Sequence, residues 1–387
     1  MSSEILNARW LELFYDHLTY LWYEPRFWFL RAILIFCLVA KIIAKWQTRG
    51  LELVYDKSNP LFQEFVEKSN IKKLRFEPYF LGLSPFFQSF FYLIAETLAK
   101  TFAAEENDRE LIKAKDGGTL GIEWTPDLKT REGKPPQYPT KKEAPILLFM
   151  PGLGGGAYNL YSMALLWVAR KNGFKCATVL FRGSDGIPIT SPHLSHSCCW
   201  EDAQVATEYV YNKYCVDPKT GEKNRRFYVY GVSLGANILG LYLKKDAKGV
   251  KKMVDGALLY CCPWGVRDGY KFFYENMGGM YSWAIGMILS EKIRCGQLPK
   301  MKDLFSPEDY EYYLNFFNNN WDGLRGIDKH VYCKMFGYTD VHDYYDKATV
   351  LGGLNNVSVP TFAFGSIDDQ VCTDKETPRK EIQQAGS

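Results

Sequence analysis

The segment that most constrains this chain is Arg226-Phe-Tyr-Val-Tyr230, which runs directly into Gly231-Val232-Ser233-Leu234-Gly235, after which Ala236-Asn237-Ile238-Leu239 begin an apolar helical pattern. A strand, a serine between two glycines and a helix in immediate succession describe a sharp, strained turn, where side chains at the flanking positions would collide with the neighbouring strand and helix. The helix N-terminus that follows favours negative charge developing at the serine. This is the setting of a nucleophile, and its plain alternative is an ordinary strand-to-helix turn.

The flanking sequence supplies a frame for such a turn. Apolar, strand-like runs at 146–150, 177–181, 227–230, 257–260 and 361–364 alternate with helix-like stretches. That alternation predicts an α/β chain with a mostly parallel sheet covered by helices on both faces, and with the serine turn it predicts an α/β-hydrolase fold. From 264 to 350 the pattern changes to a long, aromatic, mainly helical insert, read as a cap. With 387 residues, 47% hydrophobic and 24% charged, the chain can bury one large core or two ordinary ones. A net charge of +3 and the lack of a nucleic-acid motif exclude a nucleic-acid partner. The ten cysteines have no metal-ligand spacing, and the neighbours Cys198/Cys199 and Cys261/Cys262 read as reduced structural thiols.

The first hundred residues are crowded with aromatics. Residues 27–43 are almost wholly apolar, broken by Arg31 and Lys41 near the ends, with Trp22, Trp28 and Trp46 at the borders. About seventeen residues is the lower limit for a span, so the segment predicts a single transmembrane helix, with an interfacial helix or a buried core helix as alternatives. Lys41, Lys45 and Arg49 follow it, which places the bulk of the chain on the cytosolic side, at a membrane such as the endoplasmic reticulum. The predicted organisation is a membrane anchor over 1–50, an aromatic membrane-proximal segment over 51–110, and a hydrolase domain over 111–387 with its cap at 264–350. Residues 134–145 read as a surface loop.

Acyl transfer by a serine needs donors for a tetrahedral oxyanion. Pro151-Gly152-Leu153-Gly154-Gly155-Gly156 follows the strand at 146–150, so the backbone NH groups of Leu153 and Leu234 are the candidates. Phosphate binding by this loop lacks the Lys-Ser/Thr ending and the dinucleotide spacing. The acid is expected after a late strand: Val359-Pro-Thr-Phe-Ala-Phe-Gly365 precedes Ser366-Ile367-Asp368-Asp369, and Asp368 is chosen over Asp369 for its place three residues after Gly365. The base does not follow. His17, His193, His196, His330 and His342 all precede the acid, so the triad is incomplete as written. The reading is therefore a hydrolase domain incomplete at its C-terminus, against an inactive protein.

The chain resembles the membrane-anchored α/β-hydrolase-domain proteins related to bacterial YheT-like hydrolases and yeast ethanol O-acyltransferases. The resemblance runs from about Tyr79 to the C-terminus. It is carried by Phe80-Leu81-Gly82-Leu83-Ser84, Asp116-Gly117-Gly118-Thr119 with Trp124, the Pro151 to Gly155 loop, Arg182-Gly183-Ser184, Glu201-Asp202, the Gly231 to Asn237 elbow, Asp328, Phe336-Gly337-Tyr338, Tyr344-Tyr345 and Asp368-Asp369. It departs at Pro151, where the family usually has the histidine of a His-Gly pair, and at Gln370, where proline commonly follows the acids. It implies a single N-terminal membrane segment, Ser233 and Asp368 as charge-relay members, and esterase, lipase or acyltransferase activity on medium-chain acyl esters, glycerides or phospholipids. This chemistry needs no metal or organic cofactor, and its partners are the lipid or acyl-ester substrate and the membrane. The rival readings are a catalytically inactive lipid-binding pseudo-hydrolase and an aminopeptidase-like serine hydrolase.

Overall fold

The computed structural model describes residues 28–78, 108–126, 143–319 and 322–385, with a few positions among 15–24 and 88–98. The predicted loop at 134–145 and the aromatic stretch after Pro78 fall largely outside these residues. The chain divides into two compact units, 1–53 with 64–94, and 54–63 with 95–387.

In the first unit a 20-residue helix α1 (Trp28–Gln47) precedes a short antiparallel pair, β1 (Arg49–Gly50) with β2 (Arg75–Phe76). The segment predicted to span a bilayer is thus a helix, but it carries Arg31, Lys41 and Lys45. Among the described residues no helix is long and apolar enough to cross a membrane. Between Arg31 and Lys41 the uninterrupted apolar run reaches roughly 14 Å at the helical rise, about half of the hydrocarbon thickness.

The second unit holds a seven-stranded sheet of β3 (Asp108–Lys113), β4 (Thr119–Trp124), β5 (Ile146–Met150), β6 (Lys175–Leu180), β7 (Phe227–Val232), β8 (Gly256–Tyr260) and β9 (Thr361–Phe364), in the order β3-β4-β6-β5-β7-β8-β9. β4 is antiparallel to both of its neighbours, and every pairing from β6 to β9 is parallel. Helix α2 (Leu160–Lys171) covers one face, while α3 (Trp200–Tyr214) and α4 (Leu234–Lys245) cover the other. The strands earn burial on both sides by alternation. Ile146, Leu148 and Met150 of β5 join the core with α3 and α4, and Phe149 joins the core with α2. Phe227 and Val229 of β7 face the first core, and Tyr230 and Val232 the second. This mostly parallel sheet with a serine elbow after β7 is the α/β-hydrolase arrangement.

The β3–β4 hairpin was not foreseen from the sequence. Its edge strand Asp-Arg-Glu-Leu-Ile-Lys is exposed at four of six positions and its charges hide the strand period, as edge strands often do.

All elements between β8 and β9 are helical, among them α5 (Val266–Glu275), α6 (Met280–Lys292), α7 (Pro307–Asn319) and α8 (Val341–Ala348). They build a core of their own around Phe273, Leu289, Met301, Tyr313 and Tyr344. Asp328 is buried within this insert, where its carboxylate accepts from the hydroxyls of Tyr274 (2.7 Å) and Tyr345 (2.9 Å). Burial pushes the carboxyl up to about 7, against the two hydroxyls that pull it down.

The native protein therefore keeps this proton between about pH 4 and pH 7, while the unfolded chain has released it, and stability is lost as pH rises through that window. Urea unfolding at pH 5 and pH 8 is expected to show the parent losing about 2 kcal/mol more than Asp328→Asn, which cannot titrate. Equal losses in the two proteins would show that Asp328 is ionised throughout.

Candidate active site

Ser233 sits at the tip of β7 with φ 52° and ψ −118°, a left-handed backbone that costs a non-glycine residue roughly 1–3 kcal/mol and persists only where the surroundings enforce it. Its NH donates to the Tyr260 carbonyl of β8 (2.9 Å), and its carbonyl accepts from the Asn237 NH in the first turn of α4 (3.0 Å). The elbow glycines answer to close backbone approach. A β-carbon on Gly231 would lie 2.5 Å from the Gly235 carbonyl oxygen, and one on Gly235 would lie 2.2 Å from that of Met150. Asn237 is fully buried, and its side-chain amide donates to the carbonyls of Ala348 (2.8 Å) and Pro263 (3.2 Å), at the two ends of the insert.

The glycine-rich loop after β5 comes up beside the serine, since a β-carbon on Gly152 would stand 3.3 Å from that of Ser233. The loop is fixed by its own bonds: Gly152 NH to the Tyr161 hydroxyl (3.0 Å), Gly155 NH to the Gly152 carbonyl (2.9 Å), and Gly156 NH to the Asn159 side chain (2.6 Å). The buried carboxylate of Glu96 accepts from the Leu160 NH (2.7 Å) and so caps α2 beneath it. Leu153 and Leu234 line one cleft, and Leu289, Lys292, Ile293 and Tyr332 of the insert line it as well. Among the described residues, neither the Leu153 nor the Leu234 NH donates to another group. Two unspent donors next to a serine elbow are the kind of group an oxyanion requires.

The two acids part company. Asp368 is exposed and accepts from the Ser366 hydroxyl. Asp369 turns inward, and its carboxylate accepts from the NH groups of Val371 and Cys372 (2.8 Å each). It also hydrogen-bonds the Cys261 thiol, which burial and this neighbour push up to about 12. Cys372 reaches the Ser233 side chain. Burial, reinforced by Asp369, pushes its thiol well above the ordinary range, and the hydrogen bond with Ser233 acts in the opposite sense. Sequence reasoning passed over Cys372 because a lone cysteine three residues after an acid carries no chemical pattern.

The histidines are occupied elsewhere; His17 lies outside the described residues. His196 is buried, with its ring nitrogens at the Cys199 sulfur and the Tyr338 hydroxyl (2.8 Å each) and its face on Phe336 at 3.7 Å. Burial, with Arg182 and His193 adding to it, pushes this imidazole down to about 3, so it is neutral at physiological pH. His193 pairs with Asp116 at 2.7 Å, His330 meets the Tyr312 hydroxyl at 3.3 Å, and His342 is exposed on the first turn of α8. Among the described residues there is also no cluster of His, Cys, Asp and Glu able to hold a metal ion.

No family model matches the chain. It is 25% identical over 278 residues to embryogenesis-associated protein EMB8 of Picea glauca, covering 71% of this chain and 57% of that protein. It is 24% identical over 261 residues to phospholipase ABHD3 of Homo sapiens, covering 67% and 58%. Monoacylglycerol lipase of Saccharomyces cerevisiae is 26% identical over 231 residues, covering 59% and 48%. The homologues thus include lipases and α/β-hydrolase-domain proteins. The chain spans about half the length of these curated relatives.

The elbow should tolerate no side chain at Gly235, where backbone atoms of Met150 and Pro151 both lie within 2.5 Å of the added carbon. Gly235→Ala is expected to cost about 2 kcal/mol or more and to lower the midpoint of thermal unfolding by several degrees. Gly296→Ala, with open space around its site, is expected to leave the midpoint unchanged. Equal midpoints for the two variants would refute the packing account of the elbow.

Proposed function

We propose that this chain is a serine hydrolase of acyl esters, with lipid esters as its substrate class. Ser233 attacks the ester carbonyl, the NH groups of Leu153 and Leu234 hold the oxyanion, the ester C–O bond breaks as the alcohol leaves with the proton given up by the serine, and water or a second alcohol then takes the acyl group and returns a proton to the Ser233 oxygen. The observation that carries this reading is a strained serine elbow with two unspent NH donors next to it, both on residues that line a cleft. The lipase and phospholipase names among the relatives support the ester class. Asp369 is the better placed of the two acids to orient a base, because its carboxylate points toward the serine's surroundings while Asp368 faces solvent.

A second reading has its own observation. Among the described residues the Cys372 thiol meets Ser233, and because burial keeps it protonated at neutral pH it cannot accept the serine's proton. A protein limited to that arrangement is a lipid-binding pseudo-hydrolase. Fluorophosphonate labelling of the parent and Ser233→Ala separates the two: rapid labelling of the parent that is lost in the variant supports the hydrolase, whereas no labelling of a folded parent supports the pseudo-hydrolase.

We infer also that α1 lies in the interface of a membrane, with the hydrolase unit on the cytosolic side. Trp28, Phe29, Leu34, Phe36, Leu38 and Trp46 are each more than half exposed, an apolar load that water does not favour. Vesicle flotation is expected to recover the parent in the lipid fraction and to lose most of Leu34→Asp/Phe36→Asp. Undiminished flotation of the double variant would remove α1 as the contact.

A further inference from the structure

We propose that the outer face of α6, formed by Met280, Trp283 and Ile288, seats on the surface of a lipid bilayer and so holds the cleft against the membrane from which its substrate comes. The last clause rests on the lipid-ester reading. The contact itself does not, and it belongs to the hydrolase unit rather than to α1.

Three observations support it. A helix at a protein surface in water turns large apolar side chains inward and polar ones outward, and α6 does the reverse with its largest residue. Ser282, Gly286 and Ser290, four residues apart, are buried on its inner face together with Leu289. The approach there is close: a β-carbon on Gly286 would lie 1.9 Å from the Leu324 backbone nitrogen, so the helix cannot rotate to hide other side chains. Met280, Trp283 and Ile288 fall on the opposite face and are 37%, 48% and 60% exposed. Second, the chain carries no charged side chain from Asn276 to Ser290, so this face has none of the polar cover that water requires. Met277 extends the patch. It has φ 49° and is followed by Gly278 at 66° and Gly279 at 80°, so the chain holds a strained backbone here and still leaves the Met277 side chain more than half exposed. Third, the residues that follow α6 are basic. Lys292, Arg294, Lys300 and Lys302 stand between Glu291 and Asp303, four cations against two acids, and Lys300 and Lys302 are exposed.

These features together describe the partner. Small residues packed inside and large apolar ones outside is the arrangement of helices that meet lipid, where hydrocarbon and not water surrounds the outer side chains. With 13 residues α6 reaches only about 20 Å, too short to cross a bilayer, so it lies along the surface with Trp283 at the level of the head groups. The basic stretch after it complements anionic head groups. Leu289, on the inner face of the same helix, lines the cleft. A lipid ester leaving the bilayer therefore has about one helix diameter, roughly 10 Å, to travel.

The test is flotation of the full chain with vesicles of phosphatidylcholine alone and of phosphatidylcholine with phosphatidylserine. It is run in the parent and in Leu34→Asp/Phe36→Asp, so that α1 does not mask the result. Trp283→Asp/Ile288→Asp is expected to lower the partition about tenfold in both backgrounds and, because both side chains are exposed, to leave the thermal midpoint unchanged. Trp283→Phe should keep most of the partition, and Lys300→Gln/Lys302→Gln should remove the preference for phosphatidylserine alone. Undiminished partition of a folded Trp283→Asp/Ile288→Asp in both backgrounds would overturn the lipid contact. If that variant instead abolishes a dimer seen by sedimentation while flotation is unchanged, the lipid contact is overturned in favour of a second copy of the chain. Should the two aspartates lower the midpoint, Met280→Ser/Ile288→Ser decides the matter in the same way, with retained partition overturning the contact. Fluorophosphonate labelling without vesicles keeps the two readings apart: α6-dependent flotation of an unlabelled parent overturns the hydrolase alone, and labelling with flotation indifferent to α6 overturns the docking face alone.

Discussion

The backbone contact between Gly235 and the end of β5 governs the rest of this protein. The Met150 carbonyl oxygen lies 2.2 Å from where a β-carbon on Gly235 would be, so β5, β7 and the helix after Ser233 can converge only around a bare α-carbon. Once they converge, Ser233 has no backbone conformation left except the left-handed one it adopts, and its side chain is carried to the rim of the sheet. The same convergence brings the loop after β5 to within van der Waals distance of the serine, with Gly152 as the point of contact. The strain at one residue and the two NH donors beside it are consequences of a single packing requirement.

The insert is held to that elbow by a polar group rather than by its own apolar core. Asn237 donates to Ala348 and Pro263, so one buried amide ties both ends of the insert to the first turn of α4. Satisfying two buried carbonyls with one side chain avoids a desolvation cost at each, and it sets the height at which the insert stands over the serine. At the far side Lys292 and Gln297 donate to the carbonyls of Gly154 and Gly183, in the loops after β5 and β6. Here the insert supplies the donors, the reverse of its ties to Asn237.

What the sequence made legible follows the strength of its local signals. The parallel strands are near-continuous apolar runs because both of their faces are buried, and such runs can be read without an alignment. The elbow is legible because glycine is needed for space at fixed positions. The β3–β4 hairpin was not legible, because a strand at the sheet edge keeps charged side chains such as Asp108, Arg109 and Glu110 in register with solvent or with ion pairs. The acid shows a different limit. Spacing from Gly365 pointed to Asp368, and it could not show that the adjacent Asp369 accepts from the NH groups of Val371 and Cys372, a turn geometry that spacing does not encode. Helix α1 was legible as a helix; the expected span met three charges whose separation leaves too short an apolar run.

Chemistry at Ser233 depends on what faces its hydroxyl. A thiol buried beside a carboxylate resists ionisation twice over, since leaving water disfavours the thiolate and Asp369 adds a like charge to it. Cys372 therefore stays protonated through neutral pH and exchanges only a weak hydrogen bond with the serine. An imidazole in that place would draw on the same carboxylate in the opposite sense, since Asp369 would stabilise the cation formed when the serine loses its proton. One acid can thus hold a neighbouring thiol inert or make a neighbouring imidazole a base, and the difference lies wholly in the sign of the charge that the neighbour acquires.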